Sequence, residues 1–112
     1  MRQFEIFPVD LNPTIGAEMN KVRPCAIISP DEMNAYLRTV MIVPLTSVKR
    51  DLPTRVVVKA SPINGLKNDS YLVLDQIKTV DKSRLGNNPI GVLNPAERKQ
   101  VSSILCQMFA IE

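Results

Sequence analysis

The apolar residues of this chain fall in short runs, each closed by a turn-forming group, and only the last segment keeps a helical period. That pattern restricts the fold to many short strands and one principal helix. Phe4 to Leu11 reads as the first strand, with Pro8 marking an edge or a bulge because it donates nothing to a ladder. Asn12-Pro13-Thr14 with Gly16 opens a polar loop reaching Lys21. Pro24 to Ile28 is almost wholly apolar, as a strand buried on both faces must be. Ser29-Pro30-Asp31-Glu32 reads as a capping box, with the serine as N-cap, for a short helix through Tyr36. Thr39 to Leu45 and Thr54 to Lys59 are the third and fourth strands, joined by the charged segment around Lys49-Arg50-Asp51. Beyond the Asn64-Gly65 turn, Tyr71 to Leu74 and Ile77 to Val80 read as a strand pair, and a last short strand falls near Gly86 to Val92. Asn94-Pro95-Ala96-Glu97 repeats the cap pattern, and Val101, Ile104, Leu105 and Met108 then lie at i, i+3, i+4 and i+7.

These elements predict a mainly β fold: a small, strongly bent antiparallel sheet or partly open barrel with the C-terminal helix packed against one side. A length of 112 residues suits one domain over the whole chain, and 45% hydrophobic with 22% charged residues suits a folded core. No apolar run approaches the roughly 20 residues of a bilayer-spanning helix. Glu5, Pro8 and Asp10 interrupt the first apolar segment, unlike a signal peptide. A cytoplasmic protein with no membrane partner is expected.

The chain has no histidine, so the usual neutral-pH general base and the commonest metal ligand are both missing. Cys25 and Cys106 lack metal-ligand spacing and are expected to be reduced core residues. A net charge of +3 leans toward anionic partners without proving one. The aromatic residues Phe4, Phe7, Tyr36, Tyr71 and Phe109 are too few to suggest a base-stacking platform. Four polar features stand next to strand ends, where a rigid sheet can aim side chains: Glu18, Arg23, Thr46-Ser47 and Asp75-Gln76. The planar guanidinium of Arg23 suits a phosphate held by two parallel hydrogen bonds, and the hydroxyls of Thr46 and Ser47 suit the same anion. Taken singly, each has a plainer alternative: a surface charge or half an ion pair for the arginine, turn chemistry for Thr46-Ser47, and a backbone-bonding carboxylate for Asp75.

Four blocks then occur in order: Val9-Asp10-Leu11-Asn12-Pro13-Thr14 with Gly16; Arg23-Pro24 leading a strand that ends Ile27-Ile28-Ser29; Val43-Pro44-Leu45-Thr46-Ser47; and Leu74-Asp75-Gln76-Ile77-Lys78-Thr79-Val80-Asp81-Lys82. Gly91-Val92-Leu93 and the terminal helix follow them. Together they resemble the MazF/PemK/Kid family of bacterial toxin ribonucleases across nearly the whole chain. The resemblance implies the SH3-like barrel shared with gyrase-poisoning toxins of the CcdB type. It implies metal-independent cleavage of single-stranded RNA without a cofactor, a cognate antitoxin as partner, and a homodimer that meets DNA only through the antitoxin complex. It makes Arg23 and Thr46 catalytic and places Glu18, Ser47, Asp75 and Gln76 as substrate-binding or supporting residues. Two departures stand out. The loop often written Gly-Ser-Glu-Gln or Gly-His-Glu-Gln reads Gly16-Ala17-Glu18-Met19, and the arginine that the Kid branch carries two residues before its aspartate is Val73.

Within that scheme the RNA supplies its own nucleophile, the 2′-hydroxyl, and leaves a 2′,3′-cyclic phosphate and a 5′-hydroxyl. Arg23 would stabilise the charge growing on the phosphate, Thr46 would fix it, and Glu18 is one candidate for general base. Lys21, Lys49, Arg50, Lys78, Lys82 and Arg84 are expected near the same groove, where an acidic, disordered inhibitor would compete with RNA. Two other readings stay open: a toxin of this architecture that binds gyrase, and a non-catalytic nucleic-acid-binding barrel.

Overall fold

The third strand, β3 (Thr39–Thr46), organises the molecule because three others pair with it. The computed structural model describes residues 1–110. Along one edge of β3 runs β2 (Val22–Ile27), which is followed by β1 (Glu5–Asp10) and then the two-residue β7 (Gly91–Val92). Along its other edge, the first half of β3 pairs with β6 (Lys78–Asp81) and its end with β5 (Ser70–Val73), which in turn carries β4 (Arg55–Val58). Every pairing is antiparallel. One long strand serving two shorter ones in succession curls the sheet into a half-barrel, as expected. Tyr71–Leu74 and Ile77–Val80 are not paired with each other: a 3-10 turn at Leu74–Gln76 redirects the chain, and each strand takes its own stretch of β3.

Side chains alternate along these strands, so both faces of the sheet bury apolar residues. Ile6, Ala26, Val43, Leu45, Val56, Leu72, Leu74 and Leu93 form one core, under the final helix α2 (Pro95–Met108). Phe7, Val9, Leu11, Cys25, Ile27, Val40 and Ile42 form the second, on the opposite face. Of the stretch Pro24 to Ile28 expected to be buried on both faces, Cys25 to Ile28 is buried and Pro24 is half-buried.

The cap of α2 is formed as read. Asn94 Oδ1 accepts the Glu97 N–H at 2.8 Å and Glu97 Oε1 accepts the Asn94 N–H at 2.8 Å. Val101 is buried, and Ile104, Leu105 and Met108 pack against the first core. Cys106 does not: it is exposed, because it follows Leu105 around the helix and faces away from the sheet. The short helix α1 (Asp31–Tyr36) also forms, but Ser29 is not its cap. The buried Ser29 hydroxyl donates to Asn34 Oδ1 at 2.5 Å and accepts the Met41 N–H at 3.1 Å, tying α1 to β3. Pro8 belongs to an inner strand but to a stretch of it that no strand pairs on the outer side, so it is locally at an edge. It sits opposite Pro24 and beyond the two residues that β7 pairs, so its missing N–H breaks no ladder bond. The last strand is confined to Gly91–Val92, residues 86–90 running as irregular chain.

Candidate active site

The antiparallel register of β2 and β3 pairs Ile27 with Ile42, Ala26 with Val43 and Cys25 with Pro44. Beyond the last of these pairs β2 holds Arg23 and β3 holds Thr46, residues far apart in sequence that lie past the same end of the ladder. Both line a groove of about 620 Å³ together with Ser47 and Lys21. The opposite wall is the β4–β5 connection, which contributes Gly65, Leu66, Lys67 and Asn68. Among the described residues that line this groove there is no carboxylate, while Lys21, Arg23 and Lys67 are cationic. The groove therefore suits a polyanion.

Within it the two central side chains are oriented by backbone. Arg23 Nε donates to the Asn20 carbonyl at 2.8 Å, which leaves the two terminal nitrogens of the fork without a partner among the described residues. They are the pair that would meet two phosphate oxygens. Thr46 Oγ1 accepts the Val48 N–H at 3.2 Å, so one lone pair is occupied and its hydroxyl proton remains available to donate. Behind Arg23, burial pushes the Cys25 thiol up to about 12 against the opposing charges of Arg23 and Lys78. Cys25 is thus an uncharged core residue and not a nucleophile.

Glu18, Asp75 and Gln76 come together in a neighbouring hollow of about 360 Å³, which also holds Met19, Pro44 and Lys78. Glu18 turns its carboxylate to its own loop, where Oε1 accepts the Ile15 N–H at 3.0 Å. Gln76 Oε1 accepts the Met19 N–H at 2.8 Å. Asp75 Oδ1 accepts from Thr54 Oγ1 at 2.8 Å and from Arg55 Nε at 3.2 Å, the Arg55 side chain being only 9% exposed. Of the cations expected around the groove only Lys21 and Arg23 line it: Lys78 borders the neighbouring hollow, Lys49 and Arg50 line neither, and Lys82 and Arg84 spend donors on the backbone carbonyls of Asn34 and of Asp10 and Asn12.

The Asp75 carboxyl is held below its ordinary value. Burial pushes it up, but hydrogen bonds from Thr54 and its own backbone, with the charge and hydrogen bond of Arg55, outweigh that. A folded value below the unfolded one means that the carboxylate stabilises the fold above the ordinary carboxyl range, and that this is lost as pH falls through the lowered folded value. Asp75→Asn should therefore lower the urea midpoint at neutral pH and match the parent in strong acid. An equal difference at both pH values would mean the effect is not electrostatic.

Lys67, Asn68 and Ser70 line the groove without having been legible as site residues. The Asn64-Gly65 signal marks a turn, but only the pairing of Tyr71 with Thr46 shows that this turn overhangs the site. The family model for the PemK-like, MazF-like toxin of type II toxin-antitoxin systems matches residues 2–109. The chain belongs to that family. This toxin is 34% identical over 107 residues to Endoribonuclease MazF of Staphylococcus saprophyticus, covering 94% of this chain and 88% of the relative. It superposes on the Mycobacterium tuberculosis toxin MazF-mt6 with a TM-score of 0.80 at 26% identity, over 96% and 98% of the two chains. A mycobacterial endoribonuclease solved in complex with its cognate antitoxin has the same fold, with a TM-score of 0.78 at 24% identity over 100% and 99%. Among the described residues no helix is long and apolar enough to cross a membrane, and no cluster of His, Cys, Asp and Glu could hold a metal ion.

Proposed function

We propose that this toxin cleaves single-stranded RNA without a metal, using Arg23 and Thr46 on one phosphate. The observation that carries the reading is their meeting in a cationic groove at the end of the β2–β3 ladder. In the reaction the 2′-oxygen forms a bond to the adjacent phosphorus while the bond to the 5′-oxygen breaks. The products are a 2′,3′-cyclic phosphate and a 5′-hydroxyl. Charge grows on the non-bridging oxygens, where the free edge of the Arg23 fork stabilises it and its N–H groups can protonate the departing oxygen through solvent. The Thr46 hydroxyl, with Ser47 beside it, holds the phosphate in line. No carboxylate lines this groove among the described residues, and Glu18 faces its own loop, so the 2′-hydroxyl proton passes to water. Purified toxin incubated with end-labelled RNA and a chelator is expected to give discrete cuts bearing cyclic phosphate ends. Intact RNA, particularly with stalled gyrase, would overturn the reading in favour of a CcdB-type action.

The Thr46 assignment separates hydroxyl from methyl. Thr46→Ala should lower the cleavage rate by on the order of 10²-fold, the low end of what loss of one positioned donor costs, whereas Thr46→Ser should lose only a few-fold. Equal damage from both would point to the packing of a β-branched strand residue.

The toxin is further proposed to act in the cytoplasm as a homodimer, with an acidic antitoxin segment covering the groove that takes RNA. A family defined by toxin-antitoxin pairs and the cationic lining support this. Sedimentation of the toxin on a labelled 2′-deoxy RNA analogue reads both features. The complex should carry two toxin chains, and antitoxin should displace the analogue. A monomer, or a stable ternary complex, would count against the corresponding part.

A further inference from the structure

The connection between β1 and β2 determines where Arg23 points, and most of its hydrogen bonds only close it on itself. The Ile15 N–H meets Glu18, the Glu18 N–H meets the Ile15 carbonyl at 3.2 Å, and the Lys21 N–H meets Asn12 Oδ1 at 3.2 Å. Arg84 holds the base of the loop through the carbonyls of Asp10 and Asn12. The limb next to Arg23 is held differently. The Met19 N–H donates to Gln76 Oε1 at 2.8 Å across 57 residues of sequence, and the adjoining residue, Asn20, offers the carbonyl that binds Arg23 Nε. A backbone N–H can only donate, so the Gln76 atom facing it is the amide oxygen.

Gln76 is itself on a braced element. The 3-10 turn Leu74–Gln76 begins with the Leu74 N–H on the Thr54 carbonyl at 3.1 Å, and its Asp75 is bound by Thr54 and by the half-buried Arg55. Strand β4 is thereby connected through Asp75, Gln76, Met19 and Asn20 to the guanidinium. We propose that Gln76 is a positioning residue whose amide oxygen clamps Met19 so that the Asn20 carbonyl aims the Arg23 fork into the groove. This rests on the reading of Arg23 as the group that stabilises the transition state. Small misplacements of a catalytic group are costly, on the order of 10²-fold for about 1 Å.

Gln76→Met keeps length and removes the acceptor, Gln76→Ala does so by truncation should the methionine variant not fold, and Gln76→Glu keeps an acceptor oxygen. Amide exchange of Met19 in the free toxin, read by NMR, reports the clamp independently of any RNA. Met19 exchange is expected to quicken about two- to tenfold in Gln76→Met, roughly the loss of one net hydrogen bond. With it kcat should fall about ten- to a hundredfold while KM stays within about threefold. Gln76→Glu should restore the protection and recover kcat relative to Gln76→Met, with a higher KM from its charge near the RNA. Unchanged Met19 exchange in Gln76→Met overturns the clamp, as does a rise in KM alone or a change in the sequence cut, either of which would make Gln76 a direct RNA contact. Fast exchange with unaltered kcat overturns its role in positioning. Should Arg23→Ala retain full activity, the reading of Arg23 falls instead, whatever Met19 shows.

Discussion

Arg23→Ala is expected to lower the rate of RNA cleavage by on the order of 10²–10³-fold with the fold unchanged, the loss seen when one charged or hydrogen-bonding contact to a developing oxyanion is removed. Arg23 is half-buried at the mouth of the groove and belongs to neither core, so its truncation opens no cavity. Lysine should be nearly as poor a replacement, for a reason specific to this geometry. The arginine spends Nε on the Asn20 carbonyl and keeps two further nitrogens for phosphate, whereas a lysine has a single ammonium for both tasks. Initial rates on a fluorogenic RNA, with melting curves to verify folding, check both variants. Near-parental cleavage by folded Arg23→Ala would end the assignment.

Gly65→Ala should be the most damaging of the small substitutions, lowering stability by at least about 2 kcal/mol. Two costs combine. Gly65 has φ +68°, a left-handed conformation that an L-residue adopts at roughly 1–2 kcal/mol. A Cβ there would also lie 2.0 Å from the Ile90 carbonyl oxygen and 2.9 Å from its carbon, backbone atoms that cannot rotate away. The same close approach is repeated one step on, where Gly91 faces the Asn64 backbone. Asn64 holds the turn from inside, donating to the Lys59 carbonyl at 2.8 Å and accepting the N–H groups of Ser61 and Leu66 at 3.0 Å each. For a domain of this size the loss corresponds to a fall in Tm of about 10 °C. Since Gly65 to Asn68 form one wall of the groove, KM for RNA should rise as well, even where the protein is folded. A Tm within about 2 °C of the parent would show that the Ile90 segment moves aside freely.

Several features of the site were legible in sequence only up to a point. The junction of a flexible loop and a buried strand marks Arg23, and a strand end marks Thr46. Neither mark says that they meet, since that depends on β2 pairing with β3 in one register. Glu18, Asp75 and Gln76 also stand at strand ends, yet they border a separate hollow and spend their polar atoms on Ile15, on Thr54 and Arg55, and on Met19. Lys82 and Arg84 show the same limit for charge: sequence places them near the site, but backbone carbonyls already occupy them.

What the sequence by itself determined is what local physics controls. Alternation and run length set the strand-rich class, the apolar composition of Cys25 to Ile28 set a two-sided burial, and Asn94 with Glu97 set the start of α2, because periodicity and capping act within a few residues. The tertiary structure alone decided that β5 and β6 share β3 instead of pairing together, that Ser29 binds Asn34 and Met41 instead of capping α1, and that Cys106 is exposed. It alone also set the β4–β5 turn over Arg23 and Thr46. Each of these depends on which distant segment fills a given edge or face, and that choice is made by the closure of the whole sheet, where one ladder's register fixes the positions left for the next.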